Sequence, residues 1–544
     1  MGRALRSVSL AVIAVAFGLP LIMGVLGTLG TAIGWFPNSL PGLTVLSDPR
    51  LFAATRLTLF TGLMATALAL GLCVVTLMVF WGRGSLKRIQ QALAPFLAVP
   101  HAALAVGLVF VLAPSGWLAR LITLEGRPSE AWIVPDPAGW SLILGLALKE
   151  FPFLLMTALA YLPRLNPNEF LRQGRVLGYR ASQCWVRLIL PNLLHAMRLP
   201  VAVVLAYNLS VVDMAIILGP GQPPTLAVWV IEYFVQPGGR AQASVAALWL
   251  LLVMVVGFLI ANEIYRMCGH VSREFRTDSQ RKPPLPGWGH AGRAGILGLL
   301  GLAALALVSL WIFSFSHRWR FPDAVPERWT LRFWQGRWED WAPLVENTLS
   351  LGMASALCAL LAAVIWLEAE RTGRISRLDG LWYLPLFIPQ ACVLLGWQAG
   401  ALVGGVDGAW GTLVWAHWVY ALPYVLLVLA PAWRSLDVGY ERQARLLGAS
   451  PWGALIRVRM PLLLRPLLIG WAVAMAVSIA QYLPTLLLGA GRYPTLTTEL
   501  VTSFGGVDRR VIGTLASLQM LLPWSVFAIA LALPAWVFRN RRHA

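Results

Sequence analysis

The sequence predicts an all-α polytopic membrane protein made of two tandem six-helix units, with about twelve membrane spans. Three observations support this fold class. The chain has 544 residues, of which 58% are hydrophobic and 12% charged, whereas soluble domains carry about 25% charged residues. Apolar stretches long enough to cross about 30 Å of hydrocarbon recur twelve times along it. A polar segment between such stretches occurs twice.

The repeated polar segment lies once in each half of the chain. Residues 171–178 read LRQGRVLG, and residues 441–448, which lie 270 positions later, read ERQARLLG. The same offset without a gap relates Pro191 to Pro461. Because both copies lie between long apolar segments, the sequence indicates a duplicated membrane unit that carries a duplicated polar loop.

The spans divide into two sets of six. An even number of spans returns the chain to the side where it began, so the two copies should be related by an axis along the membrane normal. A polar, proline-rich stretch at 266–293 separates the sets. We therefore expect a first transmembrane domain over 1–265, a cytoplasmic linker over 266–293 and a second domain over 294–544. The predicted spans centre near residues 22, 68, 102, 151, 207, 254, 303, 356, 392, 421, 475 and 525.

The distribution of basic residues predicts the orientation. If loops are assigned alternately to two sides, the side of the N-terminus holds 29 of the 43 Lys and Arg residues and the other side 13, with Lys149 inside an apolar segment. By the positive-inside rule, both termini and both polar loops should be cytoplasmic. The lipid bilayer, rather than a nucleic acid, thus accounts for the net charge of +19. The exception is the stretch 318–337, which has five arginines on the outer side.

Each polar loop is predicted to form a helix–glycine–helix unit. In the loops, 166–191 and 437–461, Gly178 and Gly448 can supply the left-handed cap that ends the first helix. The proline near the end of each loop should begin the next span. Such a unit would lie flat at the membrane surface with its arginines facing the cytosol or another protein. A loop that merely anchors to anionic lipid is the alternative, but lipid does not require two copies in the same register.

These loops resemble the cytoplasmic loop of the membrane subunits of bacterial ABC importers. The family pattern is E-A-A, three residues, glycine, nine residues and then I-x-L-P, and the glycine-to-proline spacing fits in both copies. The resemblance extends over both halves. The chain looks like the fused two-domain permeases associated with ferric-iron and thiamine uptake, to which the segment QYLPTLLL at 481–488 is especially similar. In that family the loop forms a coupling helix that fits a cleft on the ATPase subunit.

The resemblance implies a set of coupling residues. The family's glutamate position holds Arg172 and Arg442 instead, and Glu441 lies one residue early. A charge contact from that glutamate to the ATPase is therefore not expected here. The implied residues are Arg172, Gln173, Arg175, Gly178 and Pro191 in the first loop and Arg442, Gln443, Arg445, Gly448 and Pro461 in the second.

The resemblance also implies partners and a location. Each loop would dock one ABC ATPase subunit, so two copies are expected, together with a soluble binding protein on the outer face of the bacterial inner membrane. The chain has no G-x-x-x-x-G-K-[ST] motif that could cradle phosphates. We therefore expect no cofactor in this chain, ATP and Mg²⁺ on the partner ATPase, and a transporter subunit rather than an enzyme.

Four polar residues within predicted spans are candidates for the translocation path: Lys149, Glu150, Asp213 and Gln481. A charge at the bilayer centre costs roughly 2.5–3.5 kcal/mol on insertion scales, so such residues usually face a partner or water. The alternative for each is a contact between helices. Asp213 in particular could pair with Lys149 across the bundle.

Four glycines lie where the fifth span of each half meets the outer side. They are Gly219, Gly221, Gly489 and Gly491. We interpret them as a hinge of an outer loop, with a simple turn as the alternative.

The sequence thus predicts the permease subunit of an ATP-driven importer. Its substrate would be a small solute delivered by a binding protein, with ferric iron or a thiamine-like compound as candidates. The alternative is an ion-coupled secondary transporter with six spans in each half. That function needs coupling residues in both halves, but Lys149, Glu150 and Asp213 all lie in the first. A membrane enzyme would need a catalytic cluster, and five scattered cysteines indicate neither a disulfide framework nor a metal site.

Overall fold

The computed structural model describes residues 18–35, 42–122, 134–277, 288–371 and 379–538. Nearly all regular structure in these ranges is helical, which confirms the all-α class. Within them, eight helices are long and apolar enough to cross a membrane, and two bent helix pairs raise the number to ten. The chain is therefore a polytopic membrane protein.

The first half contains thirteen α-helices in its described residues, with a 3₁₀ turn at Leu43–Ser47 and a π turn at Trp185–Ile189. The helices are α1 (Leu19–Ala32), α2 (Arg50–Phe80), α3 (Gly84–Leu97), α4 (His101–Leu112), α5 (Trp117–Ile122), α6 (Trp140–Leu165), α7 (Pro167–Val176), α8 (Ala181–Cys184), α9 (Leu190–Ala196), α10 (Arg198–Ser210), α11 (Asp213–Leu218), α12 (Leu226–Val235) and α13 (Arg240–Thr277).

The second half begins with a long helix and a small hairpin, and it has a π turn at Leu455–Arg459. Its elements are α14 (Trp288–Phe315), β1 (Ser316–Arg318), β2 (Arg328–Trp329), α15 (Arg332–Gln335), α16 (Trp338–Arg371), α17 (Asp379–Trp382), α18 (Leu384–Phe387), α19 (Gln390–Val403), α20 (Trp410–Ser435), α21 (Val438–Leu446), α22 (Pro451–Ala454), α23 (Met460–Leu462), α24 (Leu464–Ala480), α25 (Leu483–Gly489), α26 (Leu496–Ser503) and α27 (Arg509–Val537). The strands β1 and β2 pair antiparallel.

Every predicted span centre falls on a helix or within one residue of it. The spans near 22 and 392 correspond to the short apolar helices α1 and α19, and those near 207 and 475 to the bent pairs. The apolar helix α12 was not predicted. Helices α13 and α14 extend into both ends of the predicted linker, whose central residues 278–287 lie outside the described ranges. The domain boundaries stay a prediction.

Proline produces helix breaks at two matching positions. Pro100 lies between α3 and α4, and Pro389 immediately precedes α19. The backbone at both prolines is extended rather than helical. Since a proline also disfavours helical backbone in the residue before it, α4 and α19 each begin as a separate helix.

The described helices cluster into two compact units. The amino-terminal unit is built from 32–331 with 508–514, and the carboxyl-terminal unit from 332–507 with 515–538 and the residues up to 31. The units therefore do not coincide with the two halves of the chain. Helix α1, the first of the described helices, belongs with the second half, and α14 belongs with the first.

In the carboxyl-terminal unit, α1 packs on α19 through glycines. A Cβ added to Gly27 would meet the Gly396 carbonyl oxygen at 2.8 Å, so the two backbones touch. The indole N–H of Trp397 donates to the Pro20 carbonyl oxygen at 2.7 Å. Small residues allow such close helix crossings in membranes.

The amino-terminal unit contains the matching crossing of α14 on α4. A Cβ on Gly107 would contact the backbone of Ala306, and the rings of Phe110 and Phe313 lie 4.4 Å apart. Gly107 and Gly396 both stand seven residues after the proline that precedes their helix. In both units, therefore, the glycine seven residues after this proline is the position against which another apolar helix, α14 or α1, packs.

A second repeated contact fixes the loops that precede α12 and α26. The triplet Pro-Thr-Leu occurs at 224–226 and 494–496, and its leucine begins α12 or α26. The leucine N–H donates to the Thr58 hydroxyl at 2.9 Å in the first copy and to the Thr348 hydroxyl at 3.0 Å in the second. The first backbone N–H groups of a helix have no acceptor within the helix, and each threonine hydroxyl accepts one of them.

Candidate functional site

We call residues 166–191 the first elbow and residues 437–461 the second elbow. Each contains a helix, a glycine, a short helix, a π turn and a further helical turn, in that order. The π turns are related by the offset of 270 residues that relates the two sequences. The helix–glycine–helix prediction is therefore confirmed for both loops.

The glycine that ends the first helix of each elbow is left-handed, with φ of 77° at Gly178 and 87° at Gly448. The Gly178 N–H donates to the Arg175 carbonyl at 3.0 Å, and the Tyr179 N–H donates to the Gly174 carbonyl at 2.8 Å. The second elbow has the same two bonds at 3.0 and 2.9 Å. This is the Schellman arrangement, which glycine adopts without the steric penalty of a Cβ.

The prediction that Pro191 begins the next span is wrong. This proline lies in the first turn of α9, where its missing N–H is not required. The following helix α10 begins at Arg198 after a bend of 64°, and in the second copy α24 begins at Leu464 after a bend of 77°. A π turn precedes the proline in both copies, and such turns accommodate an irregular helical hydrogen-bond pattern.

The outer surfaces of the two elbows match. Immediately before the glycine each elbow presents two apolar side chains, Val176 and Leu177 at 84% and 62% exposure, and Leu446 and Leu447 at 87% and 89%. We call these pairs the apolar tips. The predicted polar coupling residues beside the tips are also exposed, namely Arg172, Gln173, Arg175, Arg442, Gln443 and Arg445.

The inner surface of the first elbow is apolar. Leu171, Trp185 and Ile189 are buried in one hydrophobic cluster. The ring of Trp81, just beyond α2, meets Trp185 edge-on at 5.8 Å. The Trp81 indole N–H also donates to the Asn168 side-chain oxygen at 2.9 Å. Aromatic packing therefore joins this elbow to the end of α2.

The inner surface of the second elbow combines buried apolar Leu455 with an ionic group. The buried Arg459 guanidinium donates to the carboxylates of Glu368, at the end of α16, and Glu441, in α21. Arg371 approaches Glu441 at 3.7 Å, and Arg445 donates to it at 2.7 Å. We call these five charged residues the ion cluster. It joins the second elbow to the end of α16.

The ion cluster keeps the Glu441 carboxylate ionised and turned inward. Burial by itself raises the pKa of Glu441, but the charges and hydrogen bonds of Arg459 and Arg445 outweigh burial and lower this pKa below its ordinary value. Arg442, at the position where the family pattern has glutamate, is exposed instead. The outward face of the second elbow is thus cationic beside its tip.

Three of the four candidate path residues belong to the amino-terminal unit. Lys149 is buried and its ammonium donates to the carbonyl oxygens of Val99 at 2.5 Å and Leu97 at 3.1 Å, where α3 ends. Asp213 begins α11 after a break in the helix and interacts electrostatically with Lys149. Carbonyls at a helix end carry partial negative charge and stabilise a cation. A role of Lys149 and Asp213 in transport stays a prediction.

Glu150, next to Lys149 in α6, faces a histidine. Its carboxylate lies 3.4 Å from His101 Nε2, and the His101 ring packs at a tilt against the Tyr207 ring, with a centroid distance of 4.6 Å. These contacts join α6, α4 and α10. Buried polar groups of this kind commonly bridge helices in membranes.

Gln481 belongs to the carboxyl-terminal unit, at the break between α24 and α25. Its amide donates to the His417 carbonyl oxygen at 3.1 Å. The two ring nitrogens of His417 lie 2.8 Å from the Ser478 hydroxyl and 3.0 Å from the Thr485 hydroxyl. In this unit the break between α24 and α25 is therefore bridged to α20 by hydrogen bonds of Gln481, Ser478 and Thr485.

The four predicted hinge glycines differ in backbone. Gly491 is left-handed with φ of 74°, whereas Gly219 is extended and caps α11 by donating to the Ala215 carbonyl at 2.9 Å. Gly489 ends α25, and a Cβ at Gly221 would meet nothing within 4 Å. Gly491 alone of the four requires glycine for its backbone, and hinge motion stays a prediction.

Sequence reasoning missed the apolar tips and the inward orientation of Glu441. The signal for the tips was an apolar pair directly before the capping glycine in an otherwise polar loop. The ion cluster joins residues up to 91 positions apart, so local spacing could not show it. In the described ranges, no group of three or more His, Cys, Asp or Glu side chains is placed to hold a metal ion.

The family model and the relatives that match this chain all describe membrane components of transport systems. A model described as "Binding-protein-dependent transport system inner membrane component" matches residues 378–539, a range that includes the second elbow. The inner membrane ABC transporter permease protein YnjC of Escherichia coli (strain K12) is 32% identical over 498 residues, which cover 91% of this chain and 90% of that protein.

Shorter similarities extend to permeases with named substrates. The putative 2-aminoethylphosphonate transport system permease protein PhnV of Salmonella typhi is 27% identical over 216 residues, covering 38% of this chain and 80% of that protein. The thiamine transport system permease protein ThiP of Salmonella typhimurium is 26% identical over 212 residues, covering 37% of this chain and 38% of that protein.

Proposed function

We propose that the two elbows dock ATPase subunits, given that this chain belongs to the inner-membrane permeases of binding-protein-dependent ABC transporters. It is a multi-pass transporter subunit that is not itself catalytic, and the ion-coupled alternative is not favoured. Family membership does not by itself show that the elbows bind ATPase subunits, so this role is the proposal.

One observation carries the docking proposal: the elbows share their exposed residues just before the capping glycine but differ at two inner positions. The exposed positions repeat Arg, Gln and Arg and then an apolar pair, while buried Leu171 and Ile189 become Glu441 and Arg459. A duplicated loop with a purely internal role would keep its core and vary its surface. An exposed segment that repeats while inner positions change indicates a common external partner.

The partner supplies the ATP hydrolysis. The chain has three lysines, and none of them stands in a phosphate-cradling motif. ATP and Mg²⁺ therefore bind to the ATPase, and two elbows correspond to two ATPase copies. The elbows and both termini lie on the cytoplasmic side, where basic residues collect.

The outer side receives the solute from a binding protein. Rocking of the two repeated halves of the chain would alternate access to the solute, as in transporters with repeated bundles. Ferric iron or a thiamine-like solute is the substrate we propose to test first. The names of two relatives mention 2-aminoethylphosphonate and thiamine, and these compounds are attributed to those relatives alone.

Stoichiometry tests the docking proposal. The full chain is co-expressed with each ATP-binding-cassette subunit of the source genome, purified by a tag on the chain and examined by native mass spectrometry. We expect two ATPase copies on the wild type, one on L447D and none on L177D/L447D, because a buried unpaired carboxylate is costly. The matched control V325D changes an exposed apolar residue near the β1–β2 hairpin, 66% exposed against 62% for Leu177, and should keep both copies. Two copies on L177D/L447D would contradict the proposal.

A second variant tests whether the left-handed glycine caps hold the apolar tips in place. Valine at Gly178 and Gly448 would have to adopt a left-handed backbone, which a β-branched residue avoids. G178V/G448V should therefore displace the tips and lose both ATPase copies. Retention of both copies would count against a role for the caps.

A further inference from the structure

We infer that the ATPase groove that receives each elbow has an apolar floor and carboxylates at its rim, opposite Arg172 and Arg442. This inference rests on the proposed docking function and names the chemistry of the partner. It follows from the charges that the elbows expose, from the direction in which their own carboxylates face, and from the spacing of the arginines around the tips.

The exposed charges of the two elbows are equal in number and sign. Each elbow exposes three arginines and one carboxylate. Since an interface between proteins places opposite potentials together, a partner that accepts both elbows must be acidic where it meets them. The exposed charged residues are Glu169, Arg172, Arg175 and Arg180 in the first elbow and Asp437, Arg442, Arg445 and Arg457 in the second.

The carboxylates of the elbows are engaged locally. Glu169 accepts hydrogen bonds from Arg172 at 3.2 Å and from Gln173 at 3.0 Å. Asp437 accepts from the Gly439 N–H at 2.8 Å and so caps α21. Glu441 is turned into the ion cluster. These acids order the elbows. Arg172 and Arg445 are among their partners, but each elbow still exposes three arginines against one carboxylate and is therefore cationic on its outward face.

The arginines stand directly beside the apolar tips. On a helix, residues three and four positions apart are neighbours on one face. Arg172 is therefore next to Arg175 and Val176, and the second elbow repeats this arrangement with Arg442. A groove that takes the tip into an apolar pocket brings both guanidinium groups to its rim, where carboxylates bind them in paired, charge-assisted hydrogen bonds.

Anionic lipid headgroups would also bind arginine, but they do not explain the apolar tips. A lipid surface does not distinguish one register from another. Both tips are set by the same two Schellman hydrogen bonds in each copy. A shaped groove requires such a fixed geometry, and this favours a protein partner.

Charge exchange tests the inference. The dissociation constant of the ATPase identified above is measured for the full chain in nanodiscs, as wild type, R172E/R442E and R172Q/R442Q. We expect reversal to weaken binding by about 100-fold and neutralisation by about tenfold, with weaker wild-type binding at higher salt. ATPase variants with one groove carboxylate changed to lysine should bind R172E/R442E better than the wild-type ATPase does. The matched control R318E/R320E changes two exposed arginines at the β1–β2 hairpin and should bind normally.

The outcomes separate the two proposals. If R172E/R442E binds within about twofold of wild type while L177D/L447D does not bind, docking stands and the acidic groove is wrong. If neither variant loses binding, docking itself is wrong. If reversal weakens binding only in nanodiscs that contain phosphatidylglycerol, and not in neutral phosphatidylcholine, the arginines recognise lipid and the acidic groove is again wrong.

Discussion

Arg459 is a buried cation, and the residue at the corresponding position of the first elbow is the buried, apolar Ile189. It is tolerated because two carboxylates, from Glu368 and Glu441, accept its hydrogen bonds, and because its guanidinium lies 5.6 Å from the ring centroid of Trp433. Removing one partner of a buried ion pair typically costs about 3–5 kcal/mol, whereas replacing the whole group with apolar residues is often neutral. The first elbow shows that this junction can be built from apolar residues.

We therefore expect R459M to lower the free energy of local opening of α21 by about 3 kcal/mol, since it removes the buried guanidinium that both Glu368 and Glu441 bind. The triple variant E368M/E441L/R459I should lie within about 1 kcal/mol of wild type. Amide hydrogen exchange of α21 measures both values, and α7 serves as the internal control. A triple variant as unstable as R459M would contradict this account.

The same cluster should respond to acid. Because folding lowers the pKa of Glu441 below its ordinary 4.5, the ionised carboxylate stabilises the second elbow at pH above that value. This stability is lost as the pH falls through the lowered pKa. We expect the opening free energy of α21, corrected for intrinsic exchange, to fall below pH 4.5. The slope should vanish in E368M/E441L/R459I, and an equal slope in that variant would assign the effect to other groups.

At the scale of elements, glycine decides where a first span packs. The crossing of α1 on α19 brings Gly396 against the backbone of Gly24 and Gly27, so a side chain at this position would have to displace a helix. Gly400 lies one turn further along α19, and a Cβ there would meet nothing within 4 Å. The two glycines therefore form a matched pair for substitution.

We predict that G396L detaches α1, because overpacking against backbone costs at least about 1–3 kcal/mol. G400L should leave the packing unchanged. Hydrogen exchange of amides 20–32 in the detergent-solubilised protein distinguishes the two variants. Equal protection in G396L and wild type would show that this crossing does not hold α1.

At the scale of the whole molecule, the basic loops orient the chain. The elbows should face the cytosol, and the β1–β2 hairpin should lie on the outer side despite its arginines, because long loops follow the positive-inside rule poorly. In a variant without the five native cysteines, a membrane-impermeant maleimide should label L447C in inside-out vesicles and V325C in right-side-out vesicles. Labelling of both cysteines from one side would overturn the predicted topology.

The sequence alone determined the features that depend on neighbouring residues. The positions of the spans, the breaks at Pro100 and Pro389 and the left-handed caps at Gly178 and Gly448 follow from apolar length and backbone sterics. The repeat in the sequence likewise showed that the elbows are built alike, since the same local pattern folds in the same way.

Only the tertiary structure decided which distant groups meet. It placed α1 with the second half of the chain, turned Glu441 toward Arg459 and directed Lys149 to the carbonyls that end α3. Each of these contacts joins residues that are far apart in sequence, and burial makes the partner of a polar group matter more than its spacing. A local pattern can identify a buried charge, but the packed helices determine what neutralises it.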